Sequence, residues 1–231
     1  MTPIRVRFTA LLLCAALLAL AGCGVRSPEA TDGATGNPLD LESVEVRGYR
    51  GEKLGSAADF RENSIKGPQD VDINTYRLEV AGKVASPTAL SYDEVLDGES
   101  YEKVVTLYCV EGWSVRILWE GVLLTDLLKQ AGYDPEASTV IFRCADGYTT
   151  SLPLSVIEDR RILLAYKMNG IPLPKERGFP FQVVAEDRWG YKWAKWVTGI
   201  EVSDDADYEG YWESRGYDNE AELPEKDRSK P

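Results

Sequence analysis

Apolar and polar positions alternate or cluster in short runs between residues 57 and 203. Residues 76–80, Tyr-Arg-Leu-Glu-Val, follow a period of two and predict a strand. Residues 104–108, 139–143, 181–184 and 197–202 are richer in Val, Ile, Leu, Phe and Tyr and predict further strands, the last of them closing the domain. Residues 149–154 continue extended after a turn at Asp146-Gly147-Tyr148, and residues 162–166 read as a buried strand or a helix end. Helical spacing is brief. Residues 90–96 predict a short helix capped by Ser91, residues 121–132 a second that stops at Gly132, and residues 155–159 a helical turn. Many short strands, few helices and no strict βα alternation make the domain α+β, mostly β.

The flanks read differently. Residues 1–22 carry Arg5 and Arg7, then an apolar run from Phe8 to Ala21 that is too short to span a bilayer comfortably. Leu20-Ala21-Gly22-Cys23 matches a bacterial lipoprotein cleavage site, with the Cys23 thiol as the atom acylated. The expectation is an extracytoplasmic domain, lipid-anchored to the bacterial cell membrane. Val6 separates the two arginines, so no twin-arginine motif is present. Residues 23–56, rich in Gly, Ser, Pro, Asp and Glu, read as the lipidated cysteine and a flexible linker. Residues 57–203 form the expected domain, and residues 204–231 an acidic tail that Tyr208, Tyr211, Trp212 and Tyr217 pin back in part.

Losing residues 1–22 with their two arginines moves the formal charge from −12 to −14. That balance argues against nucleic acid and anionic lipid headgroups as partners. The chain has no histidine, which excludes a Ser-His-Asp triad, a Cys-His dyad, histidine-ligated haem and most zinc sites. It has no haem attachment motif, so any haem belongs to a partner. Of the four cysteines, Cys14 leaves with the signal and Cys23 takes lipid, so Cys109 and Cys144 remain. In an oxidising compartment a disulfide between them stays open. Cys109 stands between a strand exit and the Glu111-Gly112 turn, followed by Trp113 and Trp119. A thiolate binds a soft metal without a base partner, and a buried cysteine also serves as an inert hydrophobe; the residues leave both readings open. Arg177, Lys192 and Lys195 lie in two loops among aromatics. They read either as an anion-binding set or as solvated cations whose stems cover Trp193 and Trp196.

Six motifs then follow in order. They are Glu62-Asn63-Ser64-Ile65-Lys66-Gly67, Cys109-Val110-Glu111-Gly112-Trp113-Ser114, Trp119-Glu120-Gly121-Val122 leading into Leu127-Leu128, Asp146-Gly147-Tyr148, Asn169-Gly170-Ile171-Pro172-Leu173-Pro174, and Gly190-Tyr191-Lys192-Trp193-Ala194-Lys195-Trp196. Over about residues 57–203 their order resembles the molybdopterin-binding domain of the sulfite oxidase superfamily. The likeness is to small bacterial members similar to the catalytic subunit of periplasmic methionine sulfoxide reductase.

The resemblance implies a sulfite-oxidase-type molybdopterin-binding fold in a single domain. It implies an oxidoreductase that transfers oxygen atoms between Mo(VI) and Mo(IV) with molybdenum-molybdopterin (Mo-MPT) as cofactor. Cys109 is then the catalytic thiolate and metal ligand. Asn63, Cys144, Arg177, Gln182, Trp193, Ala194 and Lys195 are implied to hold the pterin and its phosphate. A small oxo compound is the implied substrate, and a separate haem- or quinone-linked partner carries the electrons. Arg177 stands where relatives often carry histidine or asparagine, Gln182 where an arginine is common, and Cys144 where a small hydroxyl residue is usual. A non-catalytic binding or assembly module of the same fold, without cofactor, is the alternative; a Cys109–Cys144 disulfide would mark it.

Overall fold

The computed structural model describes residues 44–228. Strands β1 (Gly48–Tyr49) and β2 (Glu52–Lys53) pair as a short hairpin. The chain continues through β3 (Leu78–Gly82), β4 (Thr88–Leu90), α1 (Tyr92–Leu96), β5 (Ser100–Tyr108), β6 (Ser114–Leu123), α2 (Leu124–Ala131) and β7 (Thr139–Cys144). Then come β8 (Thr149–Pro153), α3 (Leu154–Asp159), β9 (Leu163–Met168), β10 (Ile171–Pro172), β11 (Gln182–Val184) and β12 (Val197–Ser203). One sheet has the order β10-β9-β6-β5, with β11 also on β9; the other has the order β4-β3-β12-β7-β8. Strand β12 runs parallel to β3 and antiparallel to β7. Among the described residues no helix is long and apolar enough to cross a membrane.

Both sheets feed one core. Leu78, Val80, Phe142 and Ile200 come from one, Ile117, Trp119, Val122 and Leu164 from the other, and Val95, Leu128 and Ile157 from the helices. Each such side chain contributes about 1.5–3 kcal/mol by leaving water. The predicted caps are in place. Ser91 and Glu94 form a reciprocal capping box on α1, and Gly132 ends α2 in the left-handed region at φ 68°.

Two regions depart from the sequence expectation. Residues 121–123 were expected to be helical, yet they complete β6, and the helix starts at Leu124. Strand β6 pairs with β5 from Ser100↔Val122 to Tyr108↔Ser114, and with β9 on its other side. A Cβ on Gly121 would stand 2.2 Å from the Leu164 carbonyl oxygen, so this glycine exists to let the β9 backbone pass. Over so few apolar residues, a strand buried on both faces and a helix start have the same pattern.

Ordered structure also begins before the expected boundary at residue 57. Leu54 is 1% exposed, and the buried Glu45 carboxylate accepts hydrogen bonds from Ser56 Oγ and Ala57 N, each at 2.7 Å. A carboxylate, not apolar periodicity, anchors this segment, which is why its composition reads as linker. The expected signal, Cys23 and the first part of the linker lie outside the described residues.

Candidate functional site

Strand β5 delivers Cys109 into the tight connection to β6. The Cys109 N–H donates to Trp113 O at 2.9 Å, and the Gly112 N–H donates back to Cys109 O at 3.0 Å. Gly112 takes φ 85° to close this turn. The Cys109 sulfur is thereby fixed toward the loop ahead of β3, where Asn63 Nδ2 lies 3.6 Å away. Glu111 Oε2 is 3.9 Å from the sulfur and accepts the Trp113 indole N–H at 3.0 Å. Burial pushes the Cys109 thiol above its ordinary value, and the Glu111 charge adds to this against the opposing charge of Arg61.

Three aromatic side chains pack together near the site, and two of them, Phe60 and Trp193, line a cavity with Cys109. Trp119 stacks at a tilt on Trp193 at 5.6 Å and meets Phe60 edge-on at 6.3 Å. Both indoles are buried with their N–H groups satisfied, Trp119 on Val105 O and Trp193 on Arg188 O.

The cations come from the two later loops. Arg177 ends a short turn at Lys175–Arg177, and Lys195 bridges to Gln182 at the start of β11. Arg177 is only 8% exposed. Its guanidinium lies over the Phe60 ring at 5.2 Å and donates to Arg61 O at 3.3 Å, and it forms no ion pair among the described residues. Lys195 Nζ pairs with Glu62 at 3.2 Å and sits 4.4 Å from the Trp196 ring centre. Burial lowers the pKa of both cations. Glu62 and Glu176 act on the Arg177 guanidinium without a direct ion pair and do not offset its desolvation, and an anion with several oxygens would satisfy its fork of donors.

Cys109 stands between two cavities. The larger, of about 220 Å³, is bounded by Asn63, Cys109, Trp193, Lys195, Trp212 and Tyr217 among others. The smaller, of about 40 Å³, shares Asn63, Cys109, Trp193 and Lys195 and adds Arg177 and Gln182. Six of the residues expected from sequence therefore converge on one place: Asn63, Cys109, Arg177, Gln182, Trp193 and Lys195.

Two do not. Ala194 is fully buried and lines neither cavity. Cys144, 7% exposed, sits behind Lys195, whose backbone N–H faces its sulfur, and burial raises its thiol pKa strongly. Both cysteines are free thiols in the structure. Lys192 also departs from both of its sequence readings. It is fully buried, and its Nζ pairs with Glu213 at 2.6 Å and with Asn219 at 2.9 Å. Trp212 and Tyr217 were expected only as tail anchors; as cavity walls they carry no local motif, because their place depends on how the tail returns to the domain.

Among the described residues no three His, Cys, Asp or Glu side chains gather to hold a metal. A metal at Cys109 would receive one sulfur from the protein and need further donors from a bound group. One thiol, one amide and a buried guanidinium with no direct ion pair among the described residues fit a soft metal carried by an anionic organic cofactor.

Comparison with known proteins shows the family. Residues 65–212 match the family model described as the oxidoreductase molybdopterin binding domain. The chain is 38% identical over 151 residues to the uncharacterized oxidoreductase YuiH of Bacillus subtilis, covering 65% of this chain and 76% of that one. It is 35% identical to the putative protein-methionine-sulfoxide reductase subunit YedZ1 of Azospira oryzae, covering 64% of this chain and 56% of the relative. It is 32% identical to human mitochondrial sulfite oxidase over 68% of this chain, and spans only 34% of that longer protein. The crystal structure of the sulfane dehydrogenase SoxCD from Paracoccus pantotrophus superposes with a TM-score of 0.59 at 23% identity, over 78% of this chain and 57% of the other. The fold is thus the sulfite-oxidase type in a single domain, and with Cys109, Asn63 and Lys195 lying inside or beside the matched span, the chain belongs to the oxidoreductase molybdopterin-binding domain family.

Proposed function

We propose that this chain is an extracytoplasmic, membrane-tethered oxidoreductase that holds molybdenum-molybdopterin, with Cys109 as the protein's ligand to the metal. The observation that carries the reading is the Cys109 sulfur, fixed by a closed turn between two cavities, with Asn63 Nδ2 at 3.6 Å and the buried Arg177 beyond it. When bound, the cofactor supplies oxygen-atom transfer to or from a small oxo compound, cycling between Mo(VI) and Mo(IV).

The chain's own residues bind and orient. Cys109 must give up a proton that burial makes it retain, and ligation to a metal cation compensates for that cost. Asn63 directs an amide N–H at the sulfur and fixes its approach. Arg177, Gln182 and Lys195 form the end suited to a phosphate. Phe60 and Trp193, backed by Trp119, exclude water from one side. Electrons pass singly to a separate haem- or quinone-linked partner. Lipid on Cys23 holds the domain at the membrane surface.

The test is metal and pterin analysis of the chain purified from a molybdenum-competent host. The expected result is stoichiometric molybdenum and pterin, with a Mo(V) paramagnetic signal that Cys109→Ser abolishes. Neither molybdenum nor pterin in the wild-type protein would overturn the reading.

A further inference from the structure

The segment after β12 does more than cover surface. Tyr211 N–H donates to Thr149 O on β8 at 2.8 Å, and a Cβ on Gly210 would stand 2.2 Å from that same oxygen. The chain therefore needs glycine at 210 to lie against the β8 backbone. Further on, Trp189 N–H donates to Ala221 O at 2.9 Å and Leu223 N–H to Asp187 O at 3.0 Å. Residues 210–223 thus form an arm fixed at both ends, and its middle reaches the larger cavity with Trp212 and Tyr217.

The middle is held by one buried ion pair. Glu213 Oε1 accepts from Lys192 Nζ and from Thr150 Oγ1, each at 2.6 Å, with both charged side chains at most 1% exposed. Lys192 belongs to the loop that also supplies Trp193 and Lys195 to the site. On the arm itself, Trp212 packs on Tyr217 at 5.1 Å and Tyr217 on Tyr191 at 5.2 Å. The family match ends at residue 212, so Glu213 and Tyr217 lie beyond it.

We propose that Trp212 and Tyr217 are specificity-determining residues that limit by size what reaches Cys109, and that Lys192 and Glu213 are the positioning pair that sets this aromatic wall. The wall faces the cavity with an indole and a phenol rather than with charge, so it selects on shape. The pair acts at a distance from the sulfur, by fixing the backbone from which both rings project. The proposal rests on Cys109 being where the chemistry occurs, but its test needs no cofactor.

The experiment uses the full chain made in a host without molybdopterin synthesis. Cys109 is alkylated with iodoacetamide or with the bulky pyrene maleimide, and the modified cysteine is located by peptide mass. In Trp212→Ala and Tyr217→Ala the maleimide rate at Cys109 is expected to rise roughly tenfold, equivalent to about 1.4 kcal/mol of lost obstruction, while the iodoacetamide rate stays near wild type. Glu213→Gln is expected to give the same selective rise, and the paired replacement Lys192→Met with Glu213→Leu to return the ratio toward wild type. Equal rises for both reagents would show only general loosening and overturn the proposal, as would no change. Tyr217 is 39% exposed, so its alanine variant keeps the test available if the buried variants fail to fold. Absence of molybdenum from the native protein would overturn the proposed function and leave the alkylation result to stand or fall alone.

Discussion

Lys195 Nζ lies 3.2 Å from Glu62 Oε1 across 133 residues of chain, and so ties the first loop of the site to the last. Glu62 also accepts the Ser64 backbone N–H at 2.6 Å. Burial alone would raise the Glu62 carboxyl, but the Ser64 hydrogen bonds and the Lys195 charge outweigh it and hold the group below its ordinary value.

The sign of the resulting pH dependence follows from linkage. A carboxyl with a lowered folded pKa contributes its stability above the unfolded value, about 4.3, and loses it as pH falls through the folded value. Glu62→Gln is expected to flatten this acid limb. Urea midpoints taken from about pH 6 to about pH 3 should fall less steeply for the variant than for wild type, and parallel curves would rule the linkage out.

Gly121→Ala probes the close passage of β6 against β9. The added methyl meets backbone, not a movable side chain tip. The expected cost is at least the roughly 1–3 kcal/mol of core overpacking, read as a lower denaturant midpoint with an unchanged slope.

That same glycine shows where the sequence was and was not legible. The turn around Cys109, the αL stop at Gly132 and the cap at Ser91 are local, and short-range chemistry specifies each. Of the six converging site residues, Cys109, Arg177 and Lys195 were candidates from residue type and position, while Asn63, Gln182 and Trp193 came only through the family resemblance, since no local pattern marks them. The strand identity of residues 121–123 depends on β9, some forty residues on, and the burial of Lys192 depends on Glu213. Such partners are set by topology, and apolar periodicity carries no record of them.

Arg177 offers a prediction in which stability and loading separate. Its guanidinium is buried without an ion partner among the described residues, and desolvation is the main effect on it. Arg177→Met is expected to leave the cofactor-free chain as stable as wild type or more so, while molybdenum and pterin content fall sharply. Thermal midpoints of the cofactor-free chain and metal analysis of the loaded one check both halves. Retained loading would remove Arg177 from the anion site.

The Lys192–Glu213 pair should behave as a unit in stability as well. Removing one member strands the other charge in the core, so Lys192→Met is expected to cost about 3–5 kcal/mol. Replacing both with apolar side chains of similar volume should recover most of that loss. A double-mutant cycle by urea denaturation measures the coupling, and additive single effects would show that the pair is not one.

The arm that carries Glu213 lies along β8, which ends its sheet. A strand in that position, left bare, presents a row of unpaired N–H and C=O groups on which a second chain can build. Displacing the arm therefore does two things together: it widens the way to Cys109 and it creates an adhesive border. Loosening the arm would thus bare a strand edge to a second copy of the chain in the same step that shifts the aromatic wall.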